Sequence, residues 1–285
     1  LLSGELATKL TGRYIEVDMY PLTFEEYIDM KAFLGFKISD DAQELNNYIL
    51  EGGFPYTVKL STLTDKRMYT GNLIEEIYQK DIKTNLKIRN RVAFDAIMKY
   101  FIANFGATTN LTNIVADLNK RGTKIKKETV NRYLTALENA KILIKCDRFD
   151  MKSRKSIMGD KKYYLADLSF YYAVFTDNKI NYGPVLENIV HNYALSYGNK
   201  VSIGRFGKFE CDFIIRNQNM DYSYVQVAYT ILASEETENR EYRPLELITW
   251  DNYPRYVMTT DKLIQKRNGI IHANIMDFMK AKKSF

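Results

Sequence analysis

Two strand-like runs carry the side chains of this sequence that are best suited to chemistry. Glu210 and Asp212 lie in the run 207–215, and Gln226 lies in the next run, 224–228. Successive strands of this kind pair in a sheet, so we expect these side chains to lie close together with their oxygens converging. Carboxylate oxygens suit Mg²⁺, and a metal held there could activate water to attack a phosphodiester.

Glu187 adds a carboxylate from a helix-like segment just upstream of the two runs. We therefore interpret Glu187, Glu210 and Asp212 as candidate Mg²⁺ ligands, with the side-chain carbonyl of Gln226 as a neutral fourth oxygen. The alternative interpretation is structural: backbone N–H groups or Arg240 could satisfy Glu210 and Asp212 without a metal.

The elements around these residues predict an α/β unit over 169–285. A helix precedes three strands, and a second helix precedes two more strands and a short closing helix. The predicted bounds are 184–197 for the first helix, 200–203, 209–216 and 222–229 for the strands, 238–248 for the second helix, 256–260 and 270–275 for the later strands, and 277–282 for the last helix. The first six of these elements follow the order αβββαβ, which is typical of restriction-endonuclease-like domains.

The middle of the chain, 84–168, concentrates the positive charge. Residues 84–162 contain 18 lysines and arginines against 7 acidic residues, a net charge of +11, whereas the remainder carries −5 and the whole chain +6. Such an asymmetry is expected of a nucleic-acid-binding module beside acidic neighbours. A solvated surface that is merely basic is the plainer alternative.

Three amphipathic helices followed by a basic β-hairpin predict a winged helix-turn-helix in this middle segment. The third helix would turn its polar face outward, and the hairpin would present a basic tip. The predicted DNA contacts are Lys127, Asn131, Arg132 and Thr135 on the helix, and Lys152, Arg154 and Lys155 on the tip. Packing against another protein is the alternative use of such a module.

The first block, 1–83, reads as mainly helical, with a short strand at 14–19. Thr23 and Glu26 have the spacing of a capping box, which predicts a helix start. Gly52-Gly53-Phe54-Pro55 predicts a chain break. Arg13 follows a short helix, where an arginine could reach a nucleotide γ-phosphate, although a lone arginine is more often a surface residue.

Composition narrows the remaining function classes. The chain has two cysteines and two histidines, which define no disulfide framework and make a histidine-based zinc site or a Ser-His-Asp triad improbable. His191, four residues after Glu187, is expected to pair with it on the helix surface. The sequence contains no long apolar run, no leader peptide and no G-x-x-x-x-G-K-[ST] loop. We therefore expect a cytoplasmic chain that does not contact the membrane and has no ATP-binding loop of its own.

In their order along the chain, these motifs resemble those of a large prokaryotic family of AAA-type ATPases with a C-terminal domain of unknown function. The resemblance covers nearly the whole chain. It rests on the segments 1–7, 10–14, 21–27, 52–55, 80–82, 129–134, 186–190, 210–213, 224–227 and 240–241.

The resemblance implies an ATPase core upstream of Leu1 that would bind ATP and Mg²⁺, so that this chain would be a fragment. It also implies a nucleotide-sensing role for Arg13 and a C-terminal domain, 169–285, like the PD-(D/E)XK nucleases. In that fold a catalytic lysine lies two residues after the position of Gln226, where this sequence has Ala228. The implied nuclease-like site is therefore degenerate.

The resulting prediction is an α/β, multi-domain chain with three parts: an ATPase remnant or lid region at 1–83, a winged helix at 84–168 and an inactive nuclease-like domain at 169–285. It would serve as a nucleic-acid- or protein-binding arm of the parent ATPase, with a homo-oligomer as one candidate assembly. Two alternatives stay open: an active Mg²⁺-dependent DNA nuclease and a protein–protein adaptor that does not bind DNA.

Overall fold

The computed structural model of this chain describes residues 17–86, 88, 90–153, 155–175, 179–207 and 209–285. Its helices are α1 Phe24–Phe33, α2 Asp41–Glu51, α3 Pro55–Lys59, α4 Leu63–Ile77, α5 Lys83–Leu86, α6 Arg91–Ala103, α7 Leu111–Lys120, α8 Lys127–Asn139, α9 Ser169–Val174, α10 Tyr182–Ser196, α11 Glu235–Glu246 and α12 Ile275–Lys280. Its strands are β1 Thr108–Thr109, β2 Leu143–Asp150, β3 Lys155–Leu165, β4 Lys200–Phe206, β5 Phe209–Arg216, β6 Tyr222–Val227, β7 Arg255–Thr259, β8 Lys266–Arg267 and β9 Ile270–Asn274.

The first helices form as their capping residues direct. The Thr23 N–H donates to Glu26 Oε2 at 2.9 Å and the Thr23 hydroxyl donates to the same oxygen at 3.0 Å, so the predicted helix start is confirmed. A π-helical turn, Tyr78–Ile82, joins α4 to α5 without a break. The predicted boundary at residue 83 therefore falls inside a continuous helical stretch.

The glycine pair after α2 docks this helical part onto the end of β3. The Gly53 N–H donates to Oδ2 of the buried Asp167 at 2.7 Å. Gly52 has a φ of +76°, and a Cβ there would overlap the Asp167 carboxylate and Ser169. Only glycine fits this close approach.

One mixed sheet runs through the described chain, in the order β1-β3-β2-β4-β5-β6-β7-β9-β8. The hairpin strands β2 and β3 are antiparallel, and β1 adds to the outer edge of β3. The other edge of β2 pairs with β4 in parallel, from Arg148 opposite Ile203 to Asp150 opposite Arg205. The basic hairpin and the C-terminal strands therefore belong to the same sheet, and this junction was not foreseen from the sequence.

The C-terminal part follows the predicted element order. β4, β5 and β6 form an antiparallel meander, α11 follows β6, and β7 and β9 then add in parallel. The larger core runs from Phe24 to Phe285 and joins the helices to one face of the sheet. A smaller core around Tyr224 and Tyr242 packs α11 on the other face. The mixed α/β class is thus confirmed.

One sequence prediction in the first block can be compared with the structure only in part. The predicted strand at 14–19 lies mostly outside the described residues, and its described part, 17–19, has no regular secondary structure.

Among the helices that the structure describes, none has both the length and the apolar composition required to cross a bilayer.

Candidate functional site

At one end of β5 and β6, side chains take over the pairing of the two strands. The backbone ladder ends at Phe213. Beyond it, the Asp212 N–H donates to Gln226 Oε1 at 3.3 Å, and the Val227 N–H donates to Asp212 Oδ2 at 2.8 Å. The structure therefore brings Asp212 and Gln226 together. It also engages both side chains in bridging the strands.

A lysine from the hairpin lies among the predicted carboxylates. Lys162, on β3, is buried, and its Nζ lies 3.4 Å from Glu187 Oε2 and 3.5 Å from Glu210 Oε1. Burial disfavours the charged ammonium, but Glu187, Asp212 and Glu210 outweigh that cost and raise the pKa of Lys162 above its ordinary value. Lys162 is therefore a protonated cation at neutral pH.

Two further groups complete the enclosure of the carboxylates. Arg148, on β2, places Nη2 at 3.1 Å from Glu210 Oε2. The Tyr164 hydroxyl, two residues after Lys162 on the same face of β3, donates to Glu187 Oε2 at 2.8 Å. The hairpin thus supplies two cations and a hydroxyl to carboxylates that belong to α10 and β5.

The cluster contains a third acidic group, Asp212, beside the two paired carboxylates. Burial, together with the neighbouring Glu187 carboxylate, raises the pKa of Asp212 well above its usual range, although Lys162 opposes the shift. Glu187 and Glu210 face two cations, Lys162 and Arg148.

A second link connects the cluster to α11. Gln226 Nε2 donates to Glu241 Oε2 at 2.9 Å, and Glu241 pairs with Arg240 at 2.7 Å. The structural alternative was that backbone N–H groups or Arg240 satisfy Glu210 and Asp212. Its Arg240 part is wrong, because Arg240 binds Glu241. Its backbone part is correct for Asp212, which accepts a hydrogen bond from the Val227 N–H.

The candidate metal ligands make ion pairs and hydrogen bonds instead of converging on a common point. Within the described ranges, no group of three or more His, Cys, Asp or Glu side chains is arranged to hold a metal ion. An Mg²⁺ ion bound to Glu187 and Glu210 would have to displace the ammonium of Lys162. Magnesium binding at Glu187, Glu210 and Asp212 stays a prediction.

The position expected to hold the catalytic lysine is occupied by Ala228, which is buried. Sequence reasoning missed Lys162 because it lies far upstream, in a strand assigned to another domain. The only local signal was its position two residues before Tyr164, on the face of β3 that points inward. In the sheet the strands follow the order β3-β2-β4-β5. This order brings Lys162 on β3 close to Glu210 on β5.

His191 differs from its predicted surface role. It is buried, its ring stacks on Tyr164 at 4.4 Å between centroids, and its Nδ1 lies 3.0 Å from Asn192 Oδ1. Burial lowers the pKa of His191 to about 4, so the ring is neutral at neutral pH. The predicted surface pair with Glu187 was wrong because this face of α10 packs against the sheet.

The third helix of the basic segment, α8, has the two faces that the sequence predicts. Its buried residues are Val130, Tyr133, Leu134, Ala136 and Leu137. The four predicted DNA contacts on this helix are all exposed: Lys127, Asn131, Arg132 and Thr135. Lys127 leans toward the start of α7, with Nζ at 3.4 Å from Thr112 Oγ1.

Further exposed cations surround the start of α8. Lys124 and Lys126 in the turn before it are exposed, and so is Arg121, which pairs with Asp117 at 2.9 Å. The sequence interpretation omitted them because it considered only the helix face. Their place between α7 and α8 extends the positive surface of the helix.

The tip of the β2–β3 hairpin lies against β4, a contact that the sequence did not predict. Lys152 and Lys155 are exposed as predicted, whereas the predicted contact Arg154 lies outside the described residues. Met151, between the strand and these lysines, is fully buried against Gly204 of β4. The tip is therefore held beside the end of β4. The other predicted site residue, Arg13, also lies outside the described residues.

Comparison with known proteins found a matching domain model and similar proteins. Residues 42–180 match the model of a domain of unknown function, DUF8612. The chain is 30% identical over 265 residues to an uncharacterized protein of Haemophilus influenzae, covering 91% of this chain and 63% of that protein. It is 27% identical over 256 residues to the uncharacterized protein MJ1544 of Methanocaldococcus jannaschii, covering 86% and 56%. This chain thus spans less than two thirds of either relative, and no solved structure matched it.

Proposed function

We propose that this chain is the C-terminal portion of an AAA-type ATPase and that it binds DNA through a winged helix formed by residues 91–165. In this proposal the domain that follows has a PD-(D/E)XK nuclease-like fold with an inactive site. The observation that carries the proposal is the exposed polar face of α8, which presents Lys127, Asn131, Arg132 and Thr135 while the opposite face is buried.

The order of elements supports a winged helix. Helices α6, α7 and α8 precede the hairpin β2–β3, and the short β1 pairs with β3, which gives a small sheet in the order β1-β3-β2. A recognition helix on such a module docks in the major groove while cations on the hairpin contact phosphates. In this proposal the exposed residues Arg121, Lys124 and Lys126 would contact the flanking backbone.

The nuclease-like part of the proposal rests on the order α10-β4-β5-β6-α11-β7, which is αβββαβ. Its inactivity rests on two features: Ala228 replaces the expected lysine, and Glu187 and Glu210 are engaged by Lys162 and Arg148. Carboxylates that are already paired with protein cations have less electrostatic attraction for Mg²⁺.

The test is fluorescence anisotropy of a labelled DNA duplex titrated with salt, with the products run on a gel in the presence of Mg²⁺ or Mn²⁺. We expect binding without cleavage. Each phosphate contact contributes about −0.9 to the slope of log affinity against log salt, so Lys127→Ala with Arg132→Ala should weaken binding and flatten that slope by about 2. Lys200→Ala, which removes an exposed cation on β4, is the control and should bind as the unmodified chain does.

An active nuclease is the second candidate, and one observation favours it: Lys162 places an ammonium beside Glu187 and Glu210, which resembles a relocated catalytic lysine. Metal-dependent cleavage that is lost in Asp212→Asn would establish it. Absence of cleavage with any divalent metal would remove it. If the chain binds neither duplex nor single-stranded DNA even at low salt, the adaptor function replaces both.

The ATPase assignment rests on the ordered sequence motifs and concerns the whole parent protein. Its test is ATP turnover by the full-length protein. Arg13→Ala in that protein should slow turnover, and this chain alone should show none. Equal turnover with and without Arg13 would contradict the nucleotide-sensing role.

A further inference from the structure

A solvent-open cleft of about 710 Å³ lies between the start of β5 and α11, next to the carboxylate cluster. Phe209 forms one side, and Arg240, Arg243 and Pro244 form part of the other. The Arg243 guanidinium lies over the Phe209 ring, 5.9 Å from its centroid. An aromatic ring beside two arginines is the combination on which single-stranded nucleic acids stack and bind their phosphates.

The sheet register connects this cleft to the hairpin tip. Asp150 is opposite Lys155 on one side and opposite Arg205 on the other, and Arg205 is in turn opposite Glu210, which adjoins Phe209. The end of β2, the end of β4 and the cleft at the start of β5 therefore lie at the same end of the sheet.

Exposed cations follow this end of the sheet from one hairpin to the cleft. They are Lys152, Lys155, Arg205, Arg243 and Arg240, which is also paired with Glu241. The carboxylates between them are engaged internally: Asp150 accepts from the Ser153 N–H, and Glu210 pairs with Arg148 and Lys162. Since neighbouring strands lie about 4.8 Å apart, the path from β3 to β5 is about 14 Å long.

From this arrangement we propose that the cleft binds a single-stranded nucleic acid that extends from a duplex held by α8 and the hairpin. The inference deepens the proposed DNA-binding function and rests on it. The bound strand follows the cations along the sheet end, and one base stacks at Phe209 and Arg243. At about 3.4 Å of rise per nucleotide, the path corresponds to about four nucleotides.

Two acidic residues give the inference a specific electrostatic signature. Glu235 and Glu236 are exposed at the rim of the cleft, where they would repel a phosphate backbone. Neutralising them as Glu235→Gln and Glu236→Gln should tighten binding of a strand in the cleft. The same change should leave a blunt duplex unaffected, because that duplex ends at the hairpin.

The experiment compares three probes by fluorescence anisotropy: a blunt duplex, the same duplex with an overhang of about ten nucleotides at either end, and the overhang sequence as a free single strand. Because stacking of one base contributes about 1–3 kcal/mol, the overhang should tighten binding by about tenfold or more. Arg243→Ala and Phe209→Leu should abolish that gain and leave the affinity for the blunt duplex within about twofold. Lys200→Ala, at the opposite end of β4, should keep the full gain.

Equal binding of blunt and overhang duplexes would overturn the inference while leaving the proposed function intact. A gain that persists in Arg243→Ala and Phe209→Leu would also overturn it, because the strand would then lie elsewhere. If the blunt duplex does not bind but the single strand binds and requires Arg243, the cleft assignment holds and the winged-helix function fails. Binding of none of the three probes would overturn both.

Discussion

Removal of the Lys162 charge should destabilise the fold strongly. Lys162→Met keeps a flexible chain of similar length but deletes the cation that lies within 3.5 Å of both Glu187 and Glu210. Among the described residues, Glu187 would then keep the hydrogen bond from the Tyr164 hydroxyl, and Glu210 would keep its ion pair with Arg148.

The expected cost follows from burial. The Lys162 side chain is 9% exposed and Glu187 is 16% exposed, so water replaces little of the lost interaction. Breaking a buried ion pair by removing one partner costs about 3–5 kcal/mol. Lys161→Met provides the matched control: Lys161 is the preceding residue, pairs with Asp147 and is 37% exposed, so its loss should cost about 1 kcal/mol or less.

The measurement is denaturant unfolding at neutral pH, followed by circular dichroism and by the fluorescence of Trp250, the single tryptophan. Adding Glu187→Gln to Lys162→Met should recover part of the loss, with a coupling energy of about 1–3 kcal/mol. A loss below about 1 kcal/mol for Lys162→Met, or strict additivity with Glu187→Gln, would refute the description of Lys162 as a buried cation paired with these carboxylates.

Three further predictions concern buried groups. Burial raises the pKa of Asp167 from 3.8 to about 6. The free energy of unfolding should therefore be highest, with respect to this group, below pH 4 and fall by about 3 kcal/mol as the pH rises through 6. Asp167→Asn should lose this pH dependence in unfolding titrations. Burial lowers the pKa of His191 to about 4 from 6.5, so stability should fall by about 3 kcal/mol as the pH drops from 6.5 toward 4, and His191→Gln should flatten that decline. Gly52→Ala should cost several kcal/mol in unfolding free energy, because its Cβ overlaps the Asp167 carboxylate at a φ of +76°; a near-neutral effect would contradict the close packing.

Local patterns predicted the secondary structure well. Strand β5 has the predicted bounds, Phe209–Arg216, and α11 begins three residues before the predicted 238. The capping box at Thr23 and the apolar face of α8 also appear as expected. These features depend on neighbours in sequence, where spacing and side-chain type determine the outcome.

The predicted site was incomplete because its missing parts come from long-range pairing. The parallel contact of β2 with β4 has no signature in either strand alone, yet it brings Lys162 and Arg148 to the carboxylates. The inward turn of His191 has the same origin, since the face of α10 that packs on the sheet is set by tertiary contacts. Hence the carboxylates were predictable and their partners were not.

The most direct test of DNA binding by α8 is photo-crosslinking from a single position on its exposed face. Cys146 and Cys211 are both buried, so an introduced exposed cysteine can be labelled selectively with a photo-reactive group. Thr135→Cys on α8 should crosslink to a DNA duplex and lose the crosslink as salt is raised. Met220→Cys, exposed in the turn between β5 and β6, should not crosslink. Crosslinking from position 220 and not from 135, or from neither at low salt, would contradict DNA binding by α8.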